Sequence, residues 1–396
     1  MLIEIILFLF FGIFFGTITG LIPGVHINLI GAFLVSLSVT TLYLINPLYL
    51  VVFITSMAIT HTFVDFIPSI FLGCPDTDTE LSILPGHELL KKGLGYEAII
   101  LTAYGSLAAV FILILISFPS ILVISKIYDS LIFLIPYILI GVSIILIFSE
   151  KNKFSALFVF LLTGFLGLSV LNMVESSEKM LLPLLTGLFG SSMLLISIKN
   201  KMQIPKQKIT KSKTNLIKPL LGSVIASPIC SFLPGLGSGQ AAIIGNSISR
   251  TNRKGFLVLV GATNTLVMGF SFISLYVISR TRTGAAASIQ SILGILSWEI
   301  LVLILIVVIF SGIISFFLTE FLAKFFSKNI EKINYTLISL MTLILLAIIV
   351  LLVSGLIGIV VLIASTFTGI YSISLNVRRT NMMGVLLIPT IIIYLV

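Results

Sequence analysis

Apolar runs of about 20 residues recur along the whole chain, separated by short polar stretches. As an α-helix, a run of about 20 residues matches the hydrocarbon thickness of a bilayer. Only 9% of the residues are charged and 58% are hydrophobic, whereas a soluble domain carries about 25% charged residues. The sequence therefore predicts an all-α, polytopic, multi-pass protein of the cell membrane.

The runs define seven predicted spans in each half of the chain. Those of the first half are residues 2–21, 25–45, 48–72, 96–123, 131–149, 154–173 and 181–198. Those of the second half are residues 219–235, 238–249, 255–279, 295–323, 334–353, 355–375 and 382–396. Because 238–249 and 382–396 are short, half-helices or re-entrant segments remain open there. The first run follows no basic region and precedes no small-residue cleavage site, so we expect a retained span rather than a signal peptide.

The basic residues are unevenly distributed among the loops. If every span crosses and the N-terminus is extracytoplasmic, all but four of the 23 Lys and Arg lie on the cytoplasmic side, as the positive-inside rule requires. Residues 199–218 hold seven lysines and are predicted to be a mobile, solvated cytoplasmic linker. This linker joins an N-terminal transmembrane repeat, 1–198, to a C-terminal one, 219–396. The asymmetry accounts for the net charge of +9 and argues against a nucleic-acid partner.

Two Pro-Gly stretches, around Pro23 and Pro234, interrupt apolar sequence at matching places in the two halves. Such stretches end a helix, and paired broken helices in two halves indicate a transporter substrate site. A helix that restarts there presents free N–H groups to an anion. The predicted substrate-binding residues are Pro23, Gly24, His26, Asn28, Pro234, Gly235, Gly237, Ser238, Gly239, Gln240 and Asn264. A plain kink is the alternative for each stretch.

Three short sequence motifs, which we call echoes, recur in the same order in the two halves. The Pro-Gly stretches are 211 residues apart, Thr60-His-Thr62 and Thr263-Asn-Thr265 are 203 apart, and Asp76-Thr-Asp-Thr79 and Arg280-Thr-Arg-Thr283 are 204 apart. An odd number of spans in each half would make the second half enter the membrane from the opposite side. The sequence thus predicts two inverted repeats with broken or re-entrant helices.

Few ionisable residues lie inside the apolar spans. His61 and Asp65 are four residues apart and share a helix face, where they could carry a proton or help to hold Na+. A structural hydrogen-bonded pair is the alternative. Arg280 and Arg282 are predicted either to attract an anion or to cap a helix C-terminus. The chain has three histidines and no HExxH or CxxC spacing, so we expect no metal and no cofactor apart from a coupling Na+ or H+.

A polar stretch, Pro85-Gly-His-Glu-Leu-Leu-Lys-Lys-Gly-Leu-Gly-Tyr-Glu-Ala98, separates two spans. It predicts a short amphipathic helix and a Gly-Leu-Gly turn, with either a solvated-loop or a functional role. Taken with Gly16-x3-Gly20-x2-Pro23-Gly24, Pro75-Asp-Thr-Asp-Thr79 and Pro234-Gly-Leu-Gly-Ser-Gly239, it resembles the large permease subunit (TctA) of tripartite tricarboxylate transporters. The chain differs in being shorter, in having His26 and Asn28 where Gly-x-Gly is expected, and in carrying Asp76 and Asp78 in a usually uncharged loop.

This resemblance implies a secondary transporter of carboxylates whose two Pro-Gly loops form the substrate site. It also implies a small membrane subunit and an extracytoplasmic binding protein as partners. We therefore expect a permease that moves a di- or tricarboxylate by alternating access coupled to a cation gradient. The alternatives are a polyprenyl-phosphate translocase, from a more distant resemblance, and an intramembrane enzyme. Membrane lipid and a second copy in a homodimer are further expected partners.

Overall fold

The computed structural model describes residues 2–22, 45–72, 79, 82–173, 177–200, 205–210, 214–232, 237–330 and 335–395. Every regular element in these ranges is helical, so the predicted all-α fold is confirmed. The helices of the first half are α1 (Leu2–Leu21), α2 (Pro47–Val64), α3 (Phe66–Leu72), α4 (Ile83–Lys91), α5 (Gly95–Ile132), α6 (Ile135–Phe148), α7 (Lys153–Leu171), α8 (Ser177–Leu185) and α9 (Ser192–Asn200), the last two joined by a π-helical segment (Thr186–Ser191). Those of the second half are α10 (Ile217–Phe232), α11 (Ser238–Ser249), α12 (Arg253–Ile278), α13 (Gly284–Leu293), α14 (Trp298–Asn329), α15 (Tyr335–Ser374), a 3-10 turn (Arg379–Met383) and α16 (Gly384–Leu395).

Seven helical segments of the described chain are long and apolar enough to cross a bilayer, which confirms a multi-pass membrane protein. Predicted span 25–45 lies outside the described residues except for residue 45, and α5 extends nine residues beyond the predicted end at 123. Predicted span 238–249 is α11 without any shift. Predicted spans 334–353 and 355–375 form α15, which is interrupted where Gly355 adopts φ 64° and ψ −160°. Only glycine takes this backbone conformation readily, so the break coincides with the predicted junction.

Packing divides the described residues into two compact units. The first contains the described residues of 1–128, 204–232 and 237–332, and the second those of 129–203 and 333–396. Each unit therefore takes one segment from each predicted half. A packing boundary differs from a repeat boundary, so the division at 199–218 stays a prediction.

Helices α2 and α12 form the centre of the first unit, and 94% of the most apolar window of each is buried. Helix α1 runs beside α2 at very short range, because a Cβ on Gly12 would lie 1.9 Å from the Oγ of Ser56 and one on Gly20 would lie 2.9 Å from the Cβ of Val64. In the second half, α10 runs beside α12 in the same way. There, Ser223 and Ser231 donate hydrogen bonds to the carbonyls of Leu259 (3.3 Å) and Val267 (3.4 Å).

These two helix pairs have the same register. Ser223 and Ser231 follow Gly12 and Gly20 by the 211 residues that separate the Pro-Gly stretches. Their α12 partners follow Ser56 and Val64 by the 203 residues of the Thr-x-Thr echo. Small residues are needed at these positions because the helix backbones approach closely. The same close contact is thus built twice, once in each half.

The direction of the central helices follows from their neighbours. Gly105 of α5 faces Val258 of α12, and Leu113 faces Gly269, so α5 and α12 run parallel. Helix α5 begins beside Phe71, near the end of α3. Helix α12 therefore begins at the end of the unit where α3 finishes, and it runs opposite to α2. We call the end of the first unit where α3 finishes and α5 and α12 begin the linker end, because Lys208 of the predicted linker bonds to Gly93 there. Opposite directions are those expected of inverted repeats, which themselves stay a prediction.

The second unit contains two similar helix contacts. Helix α7 packs on α16, where a Cβ on Gly164 would lie 2.1 Å from Ile388. Helix α15 packs on the segment α8–α9, where a Cβ on Gly369 would lie 2.4 Å from the carbonyl oxygen of Leu188. In both contacts a long helix of one half meets a short-helix segment of the other half, and glycine permits the close approach.

Candidate functional site

Polar side chains meet where α2 and α12 cross, inside the apolar core of the first unit. The hydroxyls of Thr62 and Thr265 are hydrogen bonded at 3.1 Å. Nδ2 of Asn264 donates to Oδ2 of Asp65 at 2.9 Å and approaches the carbonyl oxygen of Thr62 at 3.5 Å. Asp65 and Asn264 are only 4% and 3% exposed. Burying polar groups costs free energy unless they are hydrogen bonded, so these hydrogen bonds are part of what makes the polar cluster compatible with the core.

Asp65 lies at a proline kink between α2 and α3. Helix α2 ends at Val64 and α3 begins at Phe66, but Asp65 keeps helical dihedral angles, φ −59° and ψ −20°, and its N–H donates to the carbonyl of His61 at 3.0 Å. Pro68 causes the kink, because it has no N–H to donate to the carbonyl of Val64 and its ring crowds that oxygen. Together with the carboxylate of Asp65, that carbonyl makes the site negative, which suits a cation.

His61 points to a different helix from Asp65, although the two share one face of α2. Its Nδ1 lies 3.1 Å from the hydroxyl of Thr19 on α1. At the preceding residue, Thr60, the hydroxyl accepts a hydrogen bond from Ser315 of α14 at 2.8 Å. The polar layer therefore joins α1, α2, α12 and α14, and His61 and Asp65 occupy its two sides.

Matched hydrogen bonds follow the two central helices. Ser69 of α3 is hydrogen bonded to Thr79 at 2.6 Å, and Ser271 of α12 is hydrogen bonded to Thr283 at 2.9 Å. Thr79 and Thr283 are the last residues of the third sequence echo. Thr283 also accepts from the N–H of Ala286 and so caps α13. The last residue of each echo thus contacts the central helix segment of its own half, although the 203-residue offset pairs Ser271 with Pro68 and not with Ser69.

The second Pro-Gly stretch continues into α11, which starts at Ser238 after an extended Gly237. The N–H of Gly237 donates to Oε1 of Gln240 at 2.9 Å. Both Ser238 and Gln240 are 1% exposed. The predicted helix restart is therefore present, but Gln240 already serves as its cap. Gly239 lies in the first turn of α11, as predicted.

The remaining members of the predicted substrate site are Pro23, Gly24, His26, Asn28, Pro234 and Gly235, which lie outside the described residues. Next to that second stretch, Nη2 of Arg282 donates to the carbonyl of Phe232, the last residue of α10. This is the helix-capping contact that was one of the two alternatives for Arg282. Arg280 is exposed, and its carbonyl accepts from Ser274 at 3.3 Å. Anion attraction by either arginine stays a prediction.

Asn264 has a different neighbour from the one that the sequence suggested. The sequence groups it with the Pro-Gly residues as a substrate ligand, a role that stays a prediction, and the structure shows it in contact with Asp65. Thr62, Thr265, Thr19 and Ser315 were not singled out as site residues. The signal for the first two was the Thr-x-Thr echo, which indicated a repeat but did not by itself indicate a contact. In the described part of the chain, no three His, Cys, Asp or Glu residues converge as metal ligands.

Comparison with known proteins adds the family. The model of the tripartite tricarboxylate transporter TctA family matches residues 6–384. The chain belongs to the TctA family. An uncharacterized protein of Methanocaldococcus jannaschii is 32% identical over 404 aligned positions, covering 98% of this chain and 99% of that protein. No solved structure matches.

Membership of the TctA family makes the protein a component of a tricarboxylate transporter, in a system described as tripartite. The polar stretch that carried the family resemblance forms α4 and the turn to α5, as predicted. It is not a solvated loop, because Leu90, Tyr96 and Glu97 are each at most 4% exposed. Gly93 has φ 75° in the turn, a conformation that favours glycine.

Proposed function

We propose that this protein is a secondary transporter that moves an organic anion of the di- or tricarboxylate class by alternating access. The single observation that carries the proposal is the contact between Asp65 and Asn264. It joins a buried carboxylate of one half to the equivalent helix of the other half. In such transporters, sites lie between repeats near the middle of the membrane, beside broken helices.

The proline kink supports the coupling of transport to a cation. Asp65 brings negative charge to the kink, where Pro68 offers no N–H to the carbonyl of Val64. A cation there would offset the cost of burying the carboxylate. The second half has Met268 and Ser271 at the positions equivalent to Asp65 and Pro68, within an unbroken α12. We therefore propose a single coupling site, built on the first half.

The choice between Na+ and H+ depends on two different sets of neighbours. The hydroxyls of Thr62 and Thr265 and the amide oxygen of Asn264 are hard oxygen ligands that suit Na+. His61 lies on the other side of the layer, 3.1 Å from the hydroxyl of Thr19, and histidines inside membrane spans serve in proton relays. We propose either Na+ or H+ as the coupling ion, and uptake measured under a Na+ gradient or an H+ gradient distinguishes the two.

For the substrate, the start of α11 supports anion binding by the second Pro-Gly loop. Its N–H groups and the nearby guanidinium of Arg282 give the region positive electrostatic character. We propose that Gly24, Gly235 and Gly239 allow the backbone to approach the carboxylate groups. As a TctA-family protein, it is further proposed to work with a small membrane subunit and an extracytoplasmic binding protein.

The test is uptake by proteoliposomes that contain the purified protein. Labelled di- and tricarboxylates are supplied with an inward Na+ gradient, with an inward H+ gradient or with neither. Concentrative uptake under one gradient supports the proposal and identifies the ion. A matched set of vesicles receives a polyprenyl phosphate, and lipid movement without carboxylate uptake would refute the proposal. Adding candidate partner subunits then tests whether transport needs them.

A further inference from the structure

Part of the Lys-rich linker is held firmly at the linker end of the first unit, contrary to the expected mobile and solvated stretch. Oε1 of Gln207 accepts from the N–H of Gly95 at 2.8 Å, and its Nε2 donates to the carbonyl of Leu90 at 3.1 Å. The N–H of Lys208 donates to the carbonyl of Gly93 at 2.7 Å. One side chain thus joins the end of α4 to the start of α5. Gln207 is 9% exposed, which is unusual in a charged linker.

This attachment arranges lysines around the turn. Lys206 and Lys208, which flank the buried Gln207, are both exposed. Lys91 and Lys92, at the end of α4, are also exposed. Four ammonium groups therefore surround the turn.

The start of α12 adds further positive charge. Arg253 forms an ion pair with Glu88 of α4, which fixes the α11–α12 turn beside α4. Arg250, in that turn, is exposed. Lys254 is different, because it is neutralised by the buried Glu97 at 2.6 Å. We call Lys91, Lys92, Lys206, Lys208 and Arg250 the basic surface. No ion pair is formed by these five side chains within the described residues.

We propose that the basic surface binds the headgroups of anionic phospholipids and that Gln207 is the positioning residue that fixes its linker half. The surface lies beside the first turns of α5 and α12, two membrane-spanning candidates, so it is close to a bilayer interface. Anionic lipid headgroups attract clusters of basic residues next to membrane helices. Lysine side chains are long enough to reach those headgroups while their stems cover apolar surface.

The charge and position of the surface both favour a lipid over a soluble anion. The five basic groups are spread around a turn and are exposed, whereas a small anion is usually enclosed by converging donors. A layer of headgroups matches such a spread surface. The linker end is also the side that the distribution of lysines predicts to be cytoplasmic, where the leaflet carries anionic lipid. This inference does not depend on the transported substrate.

Native mass spectrometry of the purified full-length protein tests the proposal, with phosphatidylglycerol or phosphatidylcholine added in increasing amounts. Wild type should bind phosphatidylglycerol preferentially, and the preference should fall as salt rises. The double variant Lys206→Ala/Lys208→Ala should lose about tenfold in that preference, since each basic residue near the surface contributes measurably. Lys151→Ala/Lys153→Ala removes the same charge from the α6–α7 turn and should leave the preference unchanged.

Gln207→Met separates positioning from charge. It keeps the charge and the approximate length of the side chain but removes both hydrogen bonds, so the preference should fall several-fold. If this variant is less stable, the preference is still read from its folded ions, because each spectrum reports the two lipids on intact protein. An unchanged preference in Gln207→Met would refute the positioning role. An equal loss in both double-lysine variants, or none in Lys206→Ala/Lys208→Ala, would refute the lipid surface.

Discussion

The hydroxyl oxygens of Thr62 and Thr265 lie 3.1 Å apart, and the two residues are separated by 203 positions in the chain. That separation equals the offset between Thr60-His-Thr62 and Thr263-Asn-Thr265. Each threonine therefore contacts its own counterpart. Counterparts of two repeats touch only at the symmetry axis that relates them. This contact, with the antiparallel course of α2 and α12, supports the proposed inverted repeat.

The Thr62–Thr265 hydrogen bond should stabilise the protein modestly. We expect Thr62→Val and Thr265→Val each to cost about 1 kcal/mol. Their coupling energy in a double-mutant cycle should be about 0.6 kcal/mol, the average for hydrogen bonds between membrane helices. Reversible unfolding in mixed micelles measures all four proteins. Strictly additive costs would mean that the two hydroxyls do not interact.

Asp65→Asn should abolish gradient-driven accumulation while it leaves substrate exchange in place. The amide removes the negative charge that is proposed to bind the coupling ion, but it keeps the size of the side chain. Counterflow in vesicles without a gradient measures exchange, and uptake with a gradient measures coupling. Glu299→Gln serves as the control, since Glu299 is an exposed acid bonded to Ser297 at 2.6 Å. Full concentrative uptake by Asp65→Asn at normal expression would exclude Asp65 as the coupling group.

Valine in the Pro-Gly loops should abolish substrate binding. Gly235→Val, Gly239→Val and Gly24→Val each add a β-branched side chain where the ligand and the backbone are proposed to meet. Affinity and melting temperature are measured on the same purified variants. A role in helix kinking alone predicts lower stability with normal affinity in the folded fraction. Normal affinity in well-folded Gly235→Val and Gly24→Val proteins would mean that the loops are structural turns.

Gly105→Ala should destabilise the first unit, because the new Cβ would lie 2.0 Å from the carbonyl oxygen of Val258. Separating α5 from α12 to make room should cost about 1–3 kcal/mol. Gly141→Ala is the matched control, since a Cβ there meets nothing within 4 Å. Alanine is favoured over glycine in a helix by about 1 kcal/mol, so the control should be neutral or stabilising. Equal stability of the two variants would contradict the close contact between α5 and α12.

A membrane-impermeant thiol reagent should reach the linker only from the cytoplasm and the α13–α14 turn from outside the cell. In a background with Cys74 and Cys230 replaced by alanine, Lys206→Cys should react with a membrane-impermeant reagent only after cells are opened. Ile295→Cys should react in intact cells, since Ile295 is 85% exposed and precedes α14, which runs parallel to α2. Reaction of Lys206→Cys in intact cells would reverse the predicted orientation.

The sequence predicted the helices well because apolar runs and glycine or proline breaks determine them directly. The junction at Gly355 and the start of α11 after Gly237 are examples. The apolar run 48–72 predicts one span, which agrees with the candidate span Pro47–Phe71, but the kink at Pro68 within it was not predicted. The contact between Asp65 and Asn264 was also missed, because it depends on the crossing of two helices whose contacting residues are 199 positions apart in the sequence.

The Gln207 attachment could not be predicted from sequence for a different reason. A single glutamine among lysines has no periodic pattern, and its two hydrogen bonds are to backbone groups, which every residue possesses. The alternatives for Arg282 were visible in the sequence, but the choice needed the position of the carbonyl of Phe232. Side chains that bind backbone groups are in general the part of a site that composition and spacing do not reveal.

Met268 stands where a strict repeat would place a second acid opposite Asp65. In a transporter of two identical inverted repeats, the outward-open and inward-open forms would have equal free energy. If the two halves are the inverted repeats proposed here, a carboxylate in one repeat alone makes the two forms differ, because its surroundings are not the same in each. Asp65 would then contribute to the resting preference of the empty protein, independently of the substrate.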